Sequence, residues 1–422
     1  MFQRIIRFLD LIIYLLLGIL LLSASNPIAG KPVDRARAYT RPIEFDYVSW
    51  SAEAALLKLE SSALGVPGYL TRENRRQVVM QHLFLTERIL QAEDQLNRIY
   101  ADPTITDKEA ASTHLRGELD DMYQRQEQLA PLAEATLQAQ VSQVLAEQNL
   151  TMAGQPIPPV LYHASALPMN LIISKRERIE RLTSISIQPD ITVDQQATLE
   201  ELVDAGLNVS SLVVPVGGIG VYPTMVMRTT SLPWQLDTVA HEWAHNFLTL
   251  RPLGFLYDST PELRTMNETT ASIVGGEIGT LVLQRYYPEM AYPSPPSLQL
   301  ASIRPASPNP EGDTPPFDYR AEMHTTRVTA DELLAAGKIE EAEAYMESRR
   351  EIFWENGYAI RKLNQAYFSF YGAYADVPGG AAGEDPVGPA VRALRAQSDS
   401  LADFLNRISW MTSFEQLQAA IQ

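Results

Sequence analysis

The pentapeptide His-Glu-Trp-Ala-His at 241–245 constrains the fold of this chain more than any other feature. On a helix, His241 and His245 lie one turn apart on one face, where two imidazole nitrogens can bind one Zn²⁺. Glu242 is then placed to take a proton from water at the metal. With 6 histidines in 422 residues, a random chain of this composition would contain on average about 0.006 matches to His-Glu-x-x-His. A core helix with two hydrogen-bonded histidines is the alternative, but these residue types serve packing poorly.

The flanking sequence predicts a helix around the pentapeptide. Pro233 suits a first helical turn, and the stretch 234–250 contains neither glycine nor proline. Pro252 and Gly254 then provide a stop signal. The predicted helix also has apolar side chains that can dock it on a core: Val239, Ala240, Trp243, Ala244 and Phe247.

Composition limits both the metal ligands and the partners. The chain has no cysteine, so a zinc site here must use histidine and carboxylate ligands. The formal net charge is −17, and no basic surface of the kind that binds nucleic acid is expected. The length of 422 residues allows two or three domains with a sizeable core.

The first 25 residues are typical of an export segment. Arg4 and Arg7 precede an apolar run over 11–22, and small residues follow at 23–25. This pattern predicts either a cleaved signal peptide or, counting 5–24 as one span, an uncleaved single membrane anchor. Both would place the rest of the chain outside the cytoplasm, secreted or held at the membrane. A cytosolic apolar helix is the remaining alternative.

The rest of the chain predicts an α+β fold that is mostly helical. Residues 26–45 are expected to form a linker, and 46–150 a helical hairpin that serves as a scaffold or as a partner-binding coiled coil. From 151 to 422 we expect a small mixed sheet, the two motif helices and C-terminal helices. The proline-rich stretch 288–316 within this region is expected to be a cleft rim or a spacer.

The predicted strands lie at 171–174, 184–188, 211–216 and 220–228, with a helix over 193–205. The last of these strands leads almost directly into the motif helix. Pro223 within it favours an edge strand, since proline cannot donate to a ladder. An extended peptide could add to the sheet beside such a strand.

A second helix, predicted from Thr260 to about residue 287, should supply the third zinc ligand. It carries Glu268 and Glu277, which are about 180° apart around a helix, so they cannot both face one metal. Four small residues lie on or near the Glu268 side and would let two helices approach closely: Ala271, Ser272, Gly275 and Gly276. Glu268 is therefore the predicted ligand, and Glu277 is the alternative.

At these residues the chain resembles the gluzincin metallopeptidases, which pair HExxH on one helix with a glutamate ligand on the next. The match covers about 232–287, where Asn267-Glu268 followed by Ala271-Ser272 is similar to the second motif of that group. The resemblance implies a zincin-like core and peptide substrates. Ser272 stands where several such families have an aspartate that braces a zinc histidine, so the sequence names no bracing group.

The implied reaction is zinc-assisted peptide hydrolysis, with Zn²⁺ held by His241, His245 and Glu268 and with Glu242 as general base. A donor must also stabilise the oxyanion. His324 is one candidate. Tyr371 is another, from a predicted helix face that also carries Asn364, Tyr367 and Tyr374. An ordinary buried tyrosine stripe is the alternative to the second candidate.

Two other functions fit the same residues. One is a zinc hydrolase acting on a non-peptide amide or ester, because the motif does not define the substrate. The other is a non-catalytic envelope protein with a vestigial site, whose helical hairpin is the working surface. The intact Glu242 argues against the second, since a non-catalytic site need not keep a base.

Overall fold

A computed structural model describes residues 13–14, 30, 32–64, 69–101, 107–152, 154–291, 317–358, 360–372 and 386–422. The predicted export segment lies almost entirely outside these residues, as does 292–316, the larger part of the proline-rich stretch. Within the described ranges, no helix is both long and apolar enough to cross a membrane.

The mostly helical α+β fold predicted from the sequence is confirmed. The helices are α1 (Pro32–Thr40), α2 (Tyr47–Leu64), α3 (Arg72–Ala101), α4 (Lys108–Glu147), α5 (Val193–Leu207), α6 (Leu232–Thr249), α7 (Pro252–Phe255), α8 (Pro261–Tyr286), α9 (Tyr319–Ala335), α10 (Ile339–Glu355), α11 (Gln365–Tyr371), α12 (Val387–Ala396), α13 (Leu401–Ile408) and α14 (Phe414–Ile421). The strands are β1 (Tyr162–Ser165), β2 (Met169–Lys175), β3 (Arg181–Ile187), β4 (Val209–Val214), β5 (Gly218–Ile219) and β6 (Thr224–Met227).

The prediction of an edge strand before α6 was wrong, as the first of two three-stranded sheets shows. Its order is β1-β6-β5, with β6 parallel to β1 and antiparallel to β5. The strand that leads into α6 is therefore central, and the two-residue β5 is an edge. Pro223 is compatible with this because it precedes β6, whose first residue, Thr224, donates its N–H to Leu161 at 2.9 Å.

The second sheet is antiparallel, in the order β3-β2-β4. One face buries Leu171 and Ile173 against α5 and α1, and the other carries Ile172 and Leu212 toward α11. Strand side chains alternate between faces, so this sheet is covered on both sides. It lies across a cleft from the two motif helices, and β3 contributes to the wall of that cleft.

Residues 32–44 do not form the linker expected over 26–45. They fold as α1 and a 3₁₀ turn at Arg41–Ile43, and Ala36 is completely buried against the second sheet. Backbone hydrogen bonds from Phe45 to Ser186 and from Gln188 to Ile43 join the segment to β3. Its few apolar side chains have the spacing of one helical face. The surrounding arginines and prolines make this spacing hard to detect in the sequence.

The helical hairpin region is not a separate body. Tyr123 donates to Glu93 at 2.5 Å and Gln126 to Thr86 at 3.1 Å, a pattern that makes α3 and α4 antiparallel. One hydrophobic core then runs from this hairpin into the motif helices: Val79, Leu83, Leu137 and Val141 belong to the same cluster as Leu236, Val239, Ile278 and Val282. The hairpin thus supports the helices that carry the site.

A buried ion pair fastens the hairpin to the first sheet. Lys58 on α2 pairs with Glu134 on α4, and both side chains are almost fully buried. Glu134 also contacts His163 Nδ1 on β1 at 3.1 Å and accepts the N–H of Ala164 at 2.8 Å. Because a buried carboxylate is costly without such partners, removing any one of them should strain this junction.

Acid should weaken the fold through Glu134. Burial alone would raise the pKa of this carboxyl, but Lys58 and His163 outweigh it and lower the pKa from the ordinary 4.5 to about 2. The contribution is therefore complete above the unfolded-state value and is lost as the pH falls toward 2, by on the order of 3 kcal/mol. Denaturant unfolding at about pH 7 and about pH 3 should show a larger loss for wild type than for Glu134→Gln. Equal losses would contradict this role.

Candidate metal centre

The helix α6 forms as predicted and presents the pentapeptide to the cleft. Ser231 caps it by accepting the N–H of Trp234, and Pro233 lies in the first turn. The apolar face packs into the core, with Leu236, Val239, Ala240 and Ala244 at most 1% exposed. This packing fixes the opposite face, so that His241, Glu242 and His245 all line the cleft.

The helix α8 lies close against α6 because glycines stand at the contact. A Cβ atom on Gly275 would lie 2.6 Å from Asp237 Oδ1 and 3.1 Å from His241 Cβ, and one on Gly279 would lie 3.0 Å from the Asp237 backbone nitrogen. A Cβ atom on Gly276 would have no neighbour within 4 Å. The close approach predicted from the small residues is therefore made at Gly275 and Gly279, not at Gly276.

The three predicted ligands meet at one point. His241 Nε2 lies 3.0 Å from His245 Nε2, and Glu268 Oε2 lies 3.6 and 3.5 Å from these two nitrogens. Tetrahedral zinc with ligand bonds near 2.0–2.1 Å would separate its ligand atoms by about 3.3–3.4 Å. The observed spacing is close to this value, and these residue types form the ligand set of many catalytic zinc sites.

The charge balance of the triad also suits a cation. Glu268 is 4% exposed, and its Oε2 has no hydrogen-bond partner among the described residues. Buried carboxylate oxygens are seldom left in that state. Burial opposes ionisation of Glu268, but the two histidine rings outweigh it and hold the pKa of this carboxyl well below its usual range. An ionised oxygen thus faces two ring nitrogens, and a metal ion would take the place of the ring protons that now offset its charge.

Glu277, the alternative ligand, lies elsewhere. Its carboxylate oxygens accept from Arg395 Nε at 2.8 Å and from Arg395 Nη2 at 2.9 Å. This places it on a different side of α8 from Glu268, as the helix phase predicts. It is thus engaged in an ion pair with α12 and does not face the histidines.

Glu242 is held in the cleft wall beside β5. It is 6% exposed, and burial raises the pKa of its carboxyl, an effect that the two histidines oppose. A Cβ atom on Gly218 would lie 2.5 Å from Glu242 Oε1, and one on Gly220 would lie 3.4 Å from Oε2. The glycines therefore give the carboxylate its space. A raised pKa is also suited to a group that accepts a proton and later returns it.

Asn267 braces His245, a role that the sequence left unassigned. Its Oδ1 lies 2.7 Å from His245 Nδ1, and its Nδ2 donates to the Leu253 carbonyl at 3.3 Å, which fixes the amide orientation. An accepting Oδ1 requires the proton on His245 Nδ1, so Nε2 is left with a free lone pair toward the metal position. Asn267 thus makes the hydrogen bond to a histidine that an aspartate at position 272 makes in several gluzincin families.

Tyr257 completes the surroundings of the triad, and sequence reasoning missed it. Its hydroxyl donates to Glu268 Oε1, and its ring meets the His245 ring edge-on at a centroid distance of 6.2 Å. Burial strongly raises the pKa of Tyr257, which keeps the hydroxyl protonated as a donor. The only available signal was its place in the short connection between the two motif helices.

The two predicted oxyanion donors do not line the cleft. His324 is half-buried on α9, and Tyr371 ends α11 with its ring 4.4 Å from that of Tyr367. Asn364 caps α11 by accepting the N–H of Tyr367 at 2.9 Å, so it too has a structural role. Tyr374 lies outside the described residues. Tyr367 and Tyr371 therefore pack against each other, and among the described residues of α11 only Phe370 lines the cleft.

The cleft has a volume of about 370 Å³ and two unlike walls. The motif helices and the α7 connection form one wall, which carries the triad and Tyr257. The other comes from β5 and from the second sheet, with its neighbouring segments: Tyr47, Asn170, Arg181, Ser184, Ser186, Val216, Gly218, Ile219, Gly220 and Phe370. Cavities of a few hundred Å³ with convergent polar groups are typical of small-molecule or peptide sites.

The chain matches no protein-family profile, no curated protein and no solved structure with which it was compared. Its most distinctive feature is the convergence of His241, His245 and Glu268 beside a buried carboxylate at the wall of a cleft.

Proposed function

We propose that this chain is an exported zinc-dependent metallopeptidase of the gluzincin type. One observation supports this most. Three possible ligand atoms, from His241, His245 and Glu268, lie between 3.0 and 3.6 Å from one another. The pair α6 and α8, with β5 beside it, is interpreted as a zincin-like core. Export rests on the N-terminal sequence pattern, which would place the cleft outside the cytoplasm.

The side chains around the triad have complementary roles in this proposal. Zinc, when bound, would polarise the substrate carbonyl and lower the pKa of a water molecule. Glu242 accepts the proton of that water and then donates it to the leaving amine. Asn267 holds His245 in the tautomer that can bind metal, and Tyr257 orients Glu268 through its second oxygen.

The edge strand β5 favours a peptide substrate over a non-peptide one. Within the described part of the chain it pairs only with β6, and Gly218, Ile219 and Gly220 line the cleft. An extended peptide could pair with this free edge by main-chain hydrogen bonds, irrespective of its sequence. Such a peptide would run directly past Glu242, because Gly218 is in contact range of that carboxylate. The peptide path predicted from the sequence is thus moved from β6 to β5.

Purified protein should contain close to one zinc ion per chain and should hydrolyse unstructured peptides. Metal analysis and mass spectrometry of peptide digests would measure both properties. Removing the metal with a chelator should abolish cleavage, and adding zinc back should restore it, since the triad offers no other means of activating water. Full zinc occupancy with cleavage of esters or non-peptide amides alone would favour the other hydrolase. Full occupancy with no hydrolysis at all would favour a binding protein.

A further inference from the structure

The cleft wall contains a buried cation that the catalytic roles above do not use. Of the cleft-lining residues that the structure describes, Arg181 is the only arginine or lysine. It begins β3, and its side chain is 9% exposed. A guanidinium that is largely removed from water interacts strongly with anions.

The charge of Arg181 is incompletely neutralised by its neighbours. Arg181 Nη2 and Arg264 Nη2 both donate to the same oxygen of Asp258, Oδ1, each at 2.9 Å. Two guanidinium groups thus share one carboxylate, whose side chain is 73% exposed and therefore screened by water. Glu180, next to Arg181, pairs with Lys175 and Arg178. A net positive charge remains at this end of the cleft.

Tyr257 links this charge to the metal triad. Its ring lies 5.8 Å from the Arg181 guanidinium carbon and 6.2 Å from the His245 ring. The two groups are therefore within about 12 Å of each other, and an extended peptide rises about 3.3 Å per residue. A substrate group bound at Arg181 would thus be at most about four extended residues from the bond at the metal.

We propose that Arg181 binds a carboxylate of the substrate, namely its C-terminal carboxylate, so that the enzyme releases C-terminal fragments of up to about four residues. This inference rests on the proposed peptidase function and narrows its substrate class. Guanidinium groups bind carboxylates through two parallel hydrogen bonds. The same wall offers further polar groups for the end of a peptide, since Ser184 and Asn170 line it and Asn170 Oδ1 has no hydrogen-bond partner among the described residues.

Three versions of one peptide test the proposal. They carry a free C-terminal carboxylate, a C-terminal amide, or that amide with a glutamate as the last residue. Wild type should cleave the free acid about 10- to 100-fold more efficiently than the plain amide, mainly through a lower KM, because a charged hydrogen bond is lost with the amide. Mass spectrometry should find fragments of up to about four residues released from the C-terminus.

Two variants with matched contacts separate recognition from structure. Arg181→Gln should abolish the preference for the free acid. Arg264→Gln loses the same contacts to Asp258 and Tyr257 but is not a cleft-lining residue, so it should keep the preference. The ratio of rates for acid and amide is the readout, because a general loss of stability would lower both rates together.

The possible outcomes distinguish the two proposals. Equal cleavage of acid and plain amide by wild type would overturn the role of Arg181 and leave the peptidase function intact. Efficient cleavage of the glutamate-bearing amide, a few residues before that glutamate, would overturn the C-terminal assignment in favour of an acidic side chain. If no peptide is cleaved, the peptidase function fails. Calorimetry with the same three peptides then decides separately whether Arg181 binds a carboxylate.

Discussion

Replacing Glu242 with glutamine should lower peptide hydrolysis by about 10²- to 10⁴-fold, the usual contribution of a general base. Glutamine cannot accept the proton of the attacking water, yet it has nearly the shape of glutamate. The space beside Gly218 and Gly220 is therefore filled as before, and the three proposed metal ligands are untouched. Zinc content should stay at the wild-type level. Initial rates on a single fluorogenic peptide, with metal analysis of the same preparation, would measure both effects.

A suitable control for this variant is Glu262→Gln. Glu262 is an exposed carboxylate in the first turn of α8, so this change alters the charge equally but lies outside the cleft. It should leave the rate close to that of wild type. Wild-type rates in Glu242→Gln with full zinc occupancy would show that another group takes the proton, and the assignment of the base would be wrong.

The second large effect is expected on metal affinity. Glu268→Ala should weaken zinc binding by at least about 100-fold, because losing a mere supporting partner of a ligand already costs about 10- to 100-fold. Glu277→Ala should bind zinc as wild type does, since Glu277 is engaged with Arg395. Both residues lie on α8, nine positions apart, which makes them a matched pair. Competition with a chromophoric chelator would give the two affinities.

Thermal unfolding of the two variants tests whether a loss of zinc binding results merely from loss of the fold. Glu277→Ala loses a partly exposed ion pair, worth about 0–1 kcal/mol, so both proteins should remain folded at the temperature of the zinc titration. Equal zinc affinity in the two folded variants would overturn the three-ligand site. Loss of zinc affinity in Glu277→Ala but not in Glu268→Ala would show that Glu277 is the third ligand, and the assignment of Glu268 would be wrong.

Sequence reasoning worked best where the signal was local. The spacing of His241 and His245 determines their common face on any helix, and the phase between Glu268 and Glu277 separates the two carboxylates without knowledge of the fold. It failed where two distant segments had to meet. Tyr371 and His324 had the right chemistry, but their helices present them elsewhere, whereas Tyr257 and Arg181 reach the cleft from a short connection and from the first residue of β3.

Taken alone, the sequence determined a helix with two histidines on one face and a glutamate beside them, a second helix with one suitably placed glutamate, and a mostly helical α+β fold. Because an α-helix repeats about every 3.6 residues, short stretches of sequence are enough to determine these features. Only the tertiary structure decided that Asn267 braces His245, that β5 and not β6 lies at an edge of its sheet, and that residues 32–44 pack on a sheet. Those contacts depend on how separate elements pack, and their energies arise from burial and pairing between residues far apart in sequence.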